Sequence, residues 1–186
     1  DFEGMLNALS GAGRGDVVLL HGCCHNPTGE DLDAAQWAQI GDLMAARDLL
    51  PFVDLAYQGF GEGVEADVAG LRGLASRVPE LVAVSSCSKN FSLYRERAGS
   101  LSVVCAGRRE ADVVASNLSA VARSMYSMPP HHGAGIVAEV LGDPALSEQW
   151  HGEVQAVCER IQQLRSALVA ARSEERRVGK ECPSPC

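Results

Sequence analysis

Three short segments concentrate residue types that can bind or transform small molecules. HGCCHNPTGE, residues 21–30, sets His21 and His25 around adjacent Cys23 and Cys24, side chains that hold zinc or exchange disulfides. PFVDLAYQGFG, residues 51–61, buries Asp54 in an apolar run, where a carboxylate needs a cationic partner or strong hydrogen bonds. SSCSKNFSLYRER, residues 85–97, places Lys89 behind Ser86, Cys87 and Ser88 at the end of another apolar run. A lysine at a buried strand end is uncommon unless it is paired or reactive. The hydroxyls together with Arg97 suit an anion such as phosphate. Taken singly, each segment also has a plainer reading. Asn26-Pro27-Thr28-Gly29 is turn chemistry, Asp54 could cap a helix or form a structural ion pair, and Lys89 could be a solvated loop residue.

The elements that must position these groups alternate along the chain. Apolar runs at 15–22, 50–56, 80–88 and 99–106 predict four strands. Apolar residues at helical spacing predict helices over 32–50, 68–78, 107–122, 132–142 and 144–171. Asp31 and Asp33 stand at the start of the first of these, where the helix dipole favours them. Such alternation indicates an α/β fold with a mainly parallel sheet flanked by helices on both faces. Ligands of such sheets gather at the carboxyl ends of the strands, and there all three segments fall.

The chain of 186 residues is 46% hydrophobic, with a net charge of −8 and a mean hydropathy near zero. That composition suits a globular domain and argues against nucleic acid as a partner. No apolar run approaches the roughly 20 residues that span a bilayer. Seven cysteines in irregular spacing read as free thiols of a reducing cytoplasm rather than a disulfide framework.

Combined, the segments are specific. HNPTG, then D-x-A-Y-Q-G-F, then S-x-S-K-N-F-x-L-Y-x-E-R-x-G resemble the class I aminotransferases, pyridoxal-phosphate enzymes of fold type I. HGCCHNPTGEDL, PFVDLAYQGFG and FSLYRERAGSLSVVC are most similar to the bacterial aromatic-amino-acid and aspartate branch. The resemblance implies transfer of an amino group from an aromatic or dicarboxylic amino acid to a 2-oxo acid such as 2-oxoglutarate or oxaloacetate, with pyridoxal 5'-phosphate as cofactor. It implies that Lys89 is the catalytic Schiff-base lysine and that Asp54 pairs with the pyridine nitrogen. Asn26 and Tyr57 are implied donors to the ring 3-oxygen, and Ser86, Ser88 and Arg97 hold the phosphate. His21 then backs Asp54. ARSMYSMPPHHGA resembles R-x-x-Y-S-x-P-P-x-x-G-A, in which the arginine, Arg123 here, grips the substrate side-chain carboxylate in the neighbouring subunit of a homodimer. Met128 departs from the usual Asn.

The same resemblance organises the chain. Residues 1–142 correspond to part of the cofactor-binding large domain, and 143–171 to a helix leading toward a small domain. The earlier phosphate loop, the ring-stacking residue and the small domain are expected outside this sequence, which reads as a fragment. RSEERRVGKEC, residues 172–182, leaves the family pattern and resembles translated sequencing-adapter read-through. Residues 172–186 are therefore expected to be a non-native tail, although the composition also allows a charged helix extension. Cys23, Cys24 and His25 read as packing at a strand end, not metal ligands, because neighbouring side chains of a strand point opposite ways. An aspartate-specific enzyme and a lyase or decarboxylase on the same fold are the alternatives. A nucleotide-binding domain without the cofactor would show a G-x-G-x-x-G turn, and the sequence has none.

Overall fold

A computed structural model describes residues 1–178, with side chains through Arg172. Strands β1 (Val17–His21), β2 (Leu50–Leu55), β3 (Leu81–Ser86) and β4 (Gly99–Val104) form one sheet in the order β1-β2-β3-β4. The first three run parallel, and β4 returns antiparallel to β3 through the segment that carries Lys89. A mainly parallel sheet with one antiparallel edge agrees with the sequence reading and adds the direction of β4. The crossovers are α2 (Ala34–Ala46) between β1 and β2, and a short 3-10 turn (Ala66–Val68) with α3 (Ala69–Ala75) between β2 and β3.

One face of the sheet carries the core. Leu20, Val53, Leu55 and Leu81 pack with Trp37, Ile40 and Met44 of α2 and with Leu74 of α3. Close approach of the two helices depends on Gly70, where an added methyl would fall inside the Trp37 indole. α2 starts at Asp33, which accepts from Gln36 N at 2.8 Å while the Gln36 side chain accepts from Asp33 N at 3.0 Å. This capping box satisfies two otherwise orphaned donors.

The structure departs from the sequence expectations in several places. A first helix, α1 (Phe2–Gly11), precedes β1. Asp1 caps it by accepting from Gly4 N at 2.9 Å, and Phe2, Met5, Leu6 and Leu9 present one apolar face to the core. At ten residues with two glycines, its pattern is short, and packing rather than propensity holds it. The opposite face of the sheet is not covered to the same degree. Val17, Leu19 and Leu101 remain 60%, 64% and 48% exposed, because α1, α2 and α3 all contribute to the single core on the other side. α4 (Arg108–Met125) has no buried residue. α5 (His132–Gly142) and α6 (Pro144–Val178) pack against each other. α6 continues past residue 171, its expected end, without a break. Lys180, Cys182 and Cys186, with the rest of 179–186, lie outside the described residues.

Met44 is fully buried at the centre of this core. Met44→Ala should lower unfolding free energy by about 2–5 kcal/mol, read as a shift in the urea midpoint of the 186-residue chain.

Candidate active site

The parallel register brings the three segments to one edge of the sheet. His21, the last residue of β1, pairs directly with Asp54 of β2. Asp54 pairs in turn with Val84, two residues before Ser86. Side chains two apart share a face, so His21, Asp54 and Ser86 look out from the same side of the sheet, opposite the core.

The loop after β1 is shaped by hydrogen bonds to side chains. Asp31 accepts from Cys24 N at 2.8 Å and His25 N at 2.9 Å, a different role from the helix start assigned to it by sequence. His25 Nδ1 lies 2.7 Å from Thr28 Oγ1, and Gly29, at φ 69°, donates its N–H to His25 O at 2.7 Å. The turn sets Asn26 back over the strand end. Asn26 N donates to His21 Nδ1 at 3.2 Å, and Asn26 Nδ2 to Tyr57 Oη at 3.4 Å. With Nδ1 accepting, a neutral His21 ring carries its proton on Nε2.

The loop after β2 is organised around Asp67, which is 6% exposed. Its Oδ2 accepts from Gly59 N at 2.7 Å and Gly61 N at 3.1 Å, and its Oδ1 accepts from Glu62 N at 2.7 Å. Three N–H donors offset the desolvation of the carboxylate. The result is a fixed exit from β2 that presents Tyr57.

Lys89 Nζ stands 4.6 Å from the centroid of the Tyr57 ring, a cation–π distance. Its loop is tied down on both sides. Ser88 N donates to Ser86 Oγ at 3.1 Å, and Cys87 N to Ala98 O at 3.0 Å. Asn90 Nδ2 donates to Gln58 O at 3.2 Å, and Asn90 O accepts from Trp150 Nε1 at 2.8 Å. Trp150 of α6 also stacks on Phe91 with ring centroids 4.5 Å apart. Arg97 adopts a left-handed φ of 52° and donates from Nη1 to Tyr94 O at 3.1 Å.

The structure thus assembles Asn26, Tyr57 and Lys89 in direct contact, with His21 joined to Asn26 and paired with Asp54. Ser86 and Ser88 share the loop of Lys89, and Arg97 closes it before β4. Arg123, in the exposed last turn of α4, lies outside this group. Asp67 and Trp150 shape the loops around this group, and sequence reasoning does not single them out. Asp67 sits in a polar stretch with no periodic signal. Trp150 stands as one aromatic in a long charged helix, and that isolation is the available clue.

Cys23 and Cys24 pack against the core as the sequence suggests, but they do not point opposite ways. The chain has left β1 before Cys23, and Cys24 takes a left-handed φ of 51°, so strand alternation no longer applies. The Cys23 and Cys24 sulfurs and an Asp67 oxygen all lie within 4.8 Å of one another. Cys23 donates its thiol hydrogen bond to Cys24. This raises the pKa of Cys23 above the ordinary thiol value and lowers that of Cys24. Burial raises Cys87 and Cys158.

These features define an α/β domain that gathers an amine, a carboxylate, a phenol and a carboxamide at its strand ends. The sequence profile described as "Aminotransferase class I and II" matches residues 1–185, and the chain belongs to that family. It is 52% identical over 167 residues to a tyrosine aminotransferase of Rhizobium meliloti, covering 90% of this chain and 43% of that protein. It is 44% identical over 175 residues to the aspartate aminotransferase of Escherichia coli, covering 94% of this chain and 44% of that protein. The solved aromatic-amino-acid aminotransferase of Burkholderia pseudomallei, covalently bound to pyridoxal phosphate, superposes with a TM-score of 0.88 at 49% identity. That likeness covers 91% of this chain and 43% of the solved one. The sheet and its helices are therefore part of the large domain of fold type I, and the chain spans somewhat under half the length of the curated relatives it matches.

The opposite displacements of the thiols have a measurable consequence. As pH rises in an iodoacetamide series, Cys24 should be carboxamidomethylated at lower pH than Cys23, Cys87 or Cys158, as read by peptide mass mapping. Cys87 reacting first would contradict the assignment of the thiol hydrogen bond.

Proposed function

We propose that this chain supplies cofactor-holding machinery of a pyridoxal-phosphate-dependent aminotransferase, working on aromatic and dicarboxylic amino acids with a 2-oxo acid as amino acceptor. The observation that carries this reading is the contact set of Lys89 over Tyr57, with Asn26 reaching the Tyr57 hydroxyl and His21 linking Asn26 to the strand of Asp54. An amine nucleophile, a carboxylate, two hydrogen-bond donors and a serine–arginine loop match the chemical groups of pyridoxal phosphate one for one. When bound, the cofactor supplies an aldehyde and an electron-withdrawing ring that accepts charge from the carbon bearing the amino group.

Each residue then has a task set by its own chemistry. The Lys89 amine is the covalent attachment point and, once released, the base and acid that carries a proton to and from the substrate carbon. The Asp54 carboxylate keeps a proton on the ring nitrogen by charge attraction. The His21 ring, with Nδ1 occupied by Asn26 N, positions Asn26 beside Asp54, its strand neighbour. Asn26 and Tyr57 hold the phenolic oxygen. Ser86, Ser88 and Arg97 take the phosphate, for which a guanidinium offers a bidentate fork. Arg123, exposed at the end of α4, serves a second subunit by gripping a substrate carboxylate across a homodimer of the cytoplasm. An aspartate-specific enzyme is the second reading, favoured by the 44% identity to the aspartate aminotransferase.

Lys89 and Lys180 are the two lysines of the sequence, which makes labelling decisive. Incubation of the chain with pyridoxal phosphate, borohydride reduction and peptide mapping should place the phosphopyridoxyl group on Lys89. A label on Lys180 or the amino terminus alone would overturn the assignment. Arg97→Ala should weaken cofactor uptake by about tenfold or more, as expected for a lost charge-assisted bidentate contact, read by the visible absorption of the bound form.

The chain by itself should not turn over phenylalanine, tyrosine or aspartate with 2-oxoglutarate. The chain spans under half the length of the relatives it matches, and misplacement of a substrate by about 1 Å already costs roughly a hundredfold. Turnover within about tenfold of a full-length relative, measured with excess pyridoxal phosphate, would show that the groups described here suffice by themselves.

A further inference from the structure

We propose that Cys23, Cys24 and Asp67 form a binding site for a soft divalent cation of the zinc and cadmium type, beside the cofactor groups and separate from them. The two sulfurs and a carboxylate oxygen lie within 4.8 Å of one another. Metal–ligand lengths of about 2.3 Å for sulfur and about 2.0–2.2 Å for oxygen imply tetrahedral ligand separations of about 3.5–3.8 Å. Closing the triangle therefore needs movements of about 1 Å or less, within reach of side-chain rotation. Cys23 and Asp67 are each only 6% exposed, so two of the three groups are already held in a dry, fixed frame.

The donors are also oriented. Asp67 is aimed by three backbone N–H groups, and Oδ1 accepts only one of them, which leaves that oxygen a lone pair. Such outer hydrogen bonds fix ligating carboxylates. Cys24 is turned toward its neighbour by the left-handed backbone that Asp31 stabilises through Cys24 N and His25 N. His25, whose Nδ1 is engaged by Thr28, is not in this group of ligand atoms. Three protein donors leave one position for water, as in open zinc sites.

An entry path exists. A cleft of 520 Å³ is lined by Cys23, Asp31, Glu62 and Asp67. Its carboxylates attract a cation toward the thiols. The ion would displace the thiol proton of Cys23 and any on Cys24 into solvent. No oxidant is required. Bound there, it would join the loop carrying Asn26 to the loop carrying Tyr57.

Cadmium titration of the reduced, chelator-treated 186-residue chain tests the site through the ultraviolet sulfur-to-cadmium charge-transfer band. The band should saturate at one equivalent. Cys23→Ser and Cys24→Ser should each weaken binding by about tenfold or more, as loss of a thiolate ligand requires, while Cys182→Ser and Cys186→Ser leave it in place. Asp67→Asn should weaken it as well, but this variant also disturbs the β2 exit. Cys24→Ser is therefore the deciding variant, with circular dichroism checking that its fold is retained. An unchanged one-equivalent band in folded Cys24→Ser, or no band in the parent chain, would overturn the proposal.

Discussion

The parallel pairing of β1, β2 and β3 is the constraint on which the rest of this structure depends. Because these strands share a direction, their carboxyl ends meet along one edge, and residues far apart in the chain become neighbours. His21 beside Asp54 and Asp54 beside Val84 fix which face the polar groups occupy. A slip of one residue would turn Asp54 into the core and Val53 out of it. The same alternation that places Val53 and Leu55 against α2 and α3 therefore aims Asp54 away from them. Core packing and site geometry are two readings of a single register.

The loops beyond the strand ends are not left to chance. Asp31 holds the N–H groups of Cys24 and His25, and Asp67 holds those of Gly59, Gly61 and Glu62. Each carboxylate replaces the ladder partners that the backbone loses on leaving the sheet. Backbone donors in such loops need acceptors when they are withdrawn from water. Short acidic side chains provide them without adding length to the loop. Asn26 and Tyr57 are consequently presented by loops whose shape is fixed before any ligand arrives.

Much of this is legible in the sequence, and what is not has physical reasons. Strands such as LPFVDL declare themselves by apolar alternation, and α2 by periodicity. Lys89, Asp54 and Asn26 stand out because charged and amide groups at strand ends are conspicuous. α1 escapes notice because a ten-residue amphipathic segment with two glycines owes its helicity to packing that sequence does not display. Asp67 is hidden because its role is to accept from backbone groups, and those leave no pattern in side-chain identity. The convergence of Cys23 and Cys24 contradicts a strand rule extended past the strand, into a loop where φ changes sign. The direction of β4 depends on whether the Lys89 loop turns back or crosses over, which composition alone leaves open.

α6 has a mechanical consequence. It is one continuous helix of 35 residues, about 50 Å long at about 1.5 Å per residue. Its first two thirds are fastened to the domain by Trp150 on Phe91 and Asn90, by buried Val154 and Cys158, and by Arg165 reaching Gly29 O. Past Arg165 the helix continues for about 20 Å. One fastening point borders Lys89 and another lies in the same turn as Asn26. A single stiff helix therefore ties the segment that carries Lys89 and the turn that carries Asn26 to one common axis.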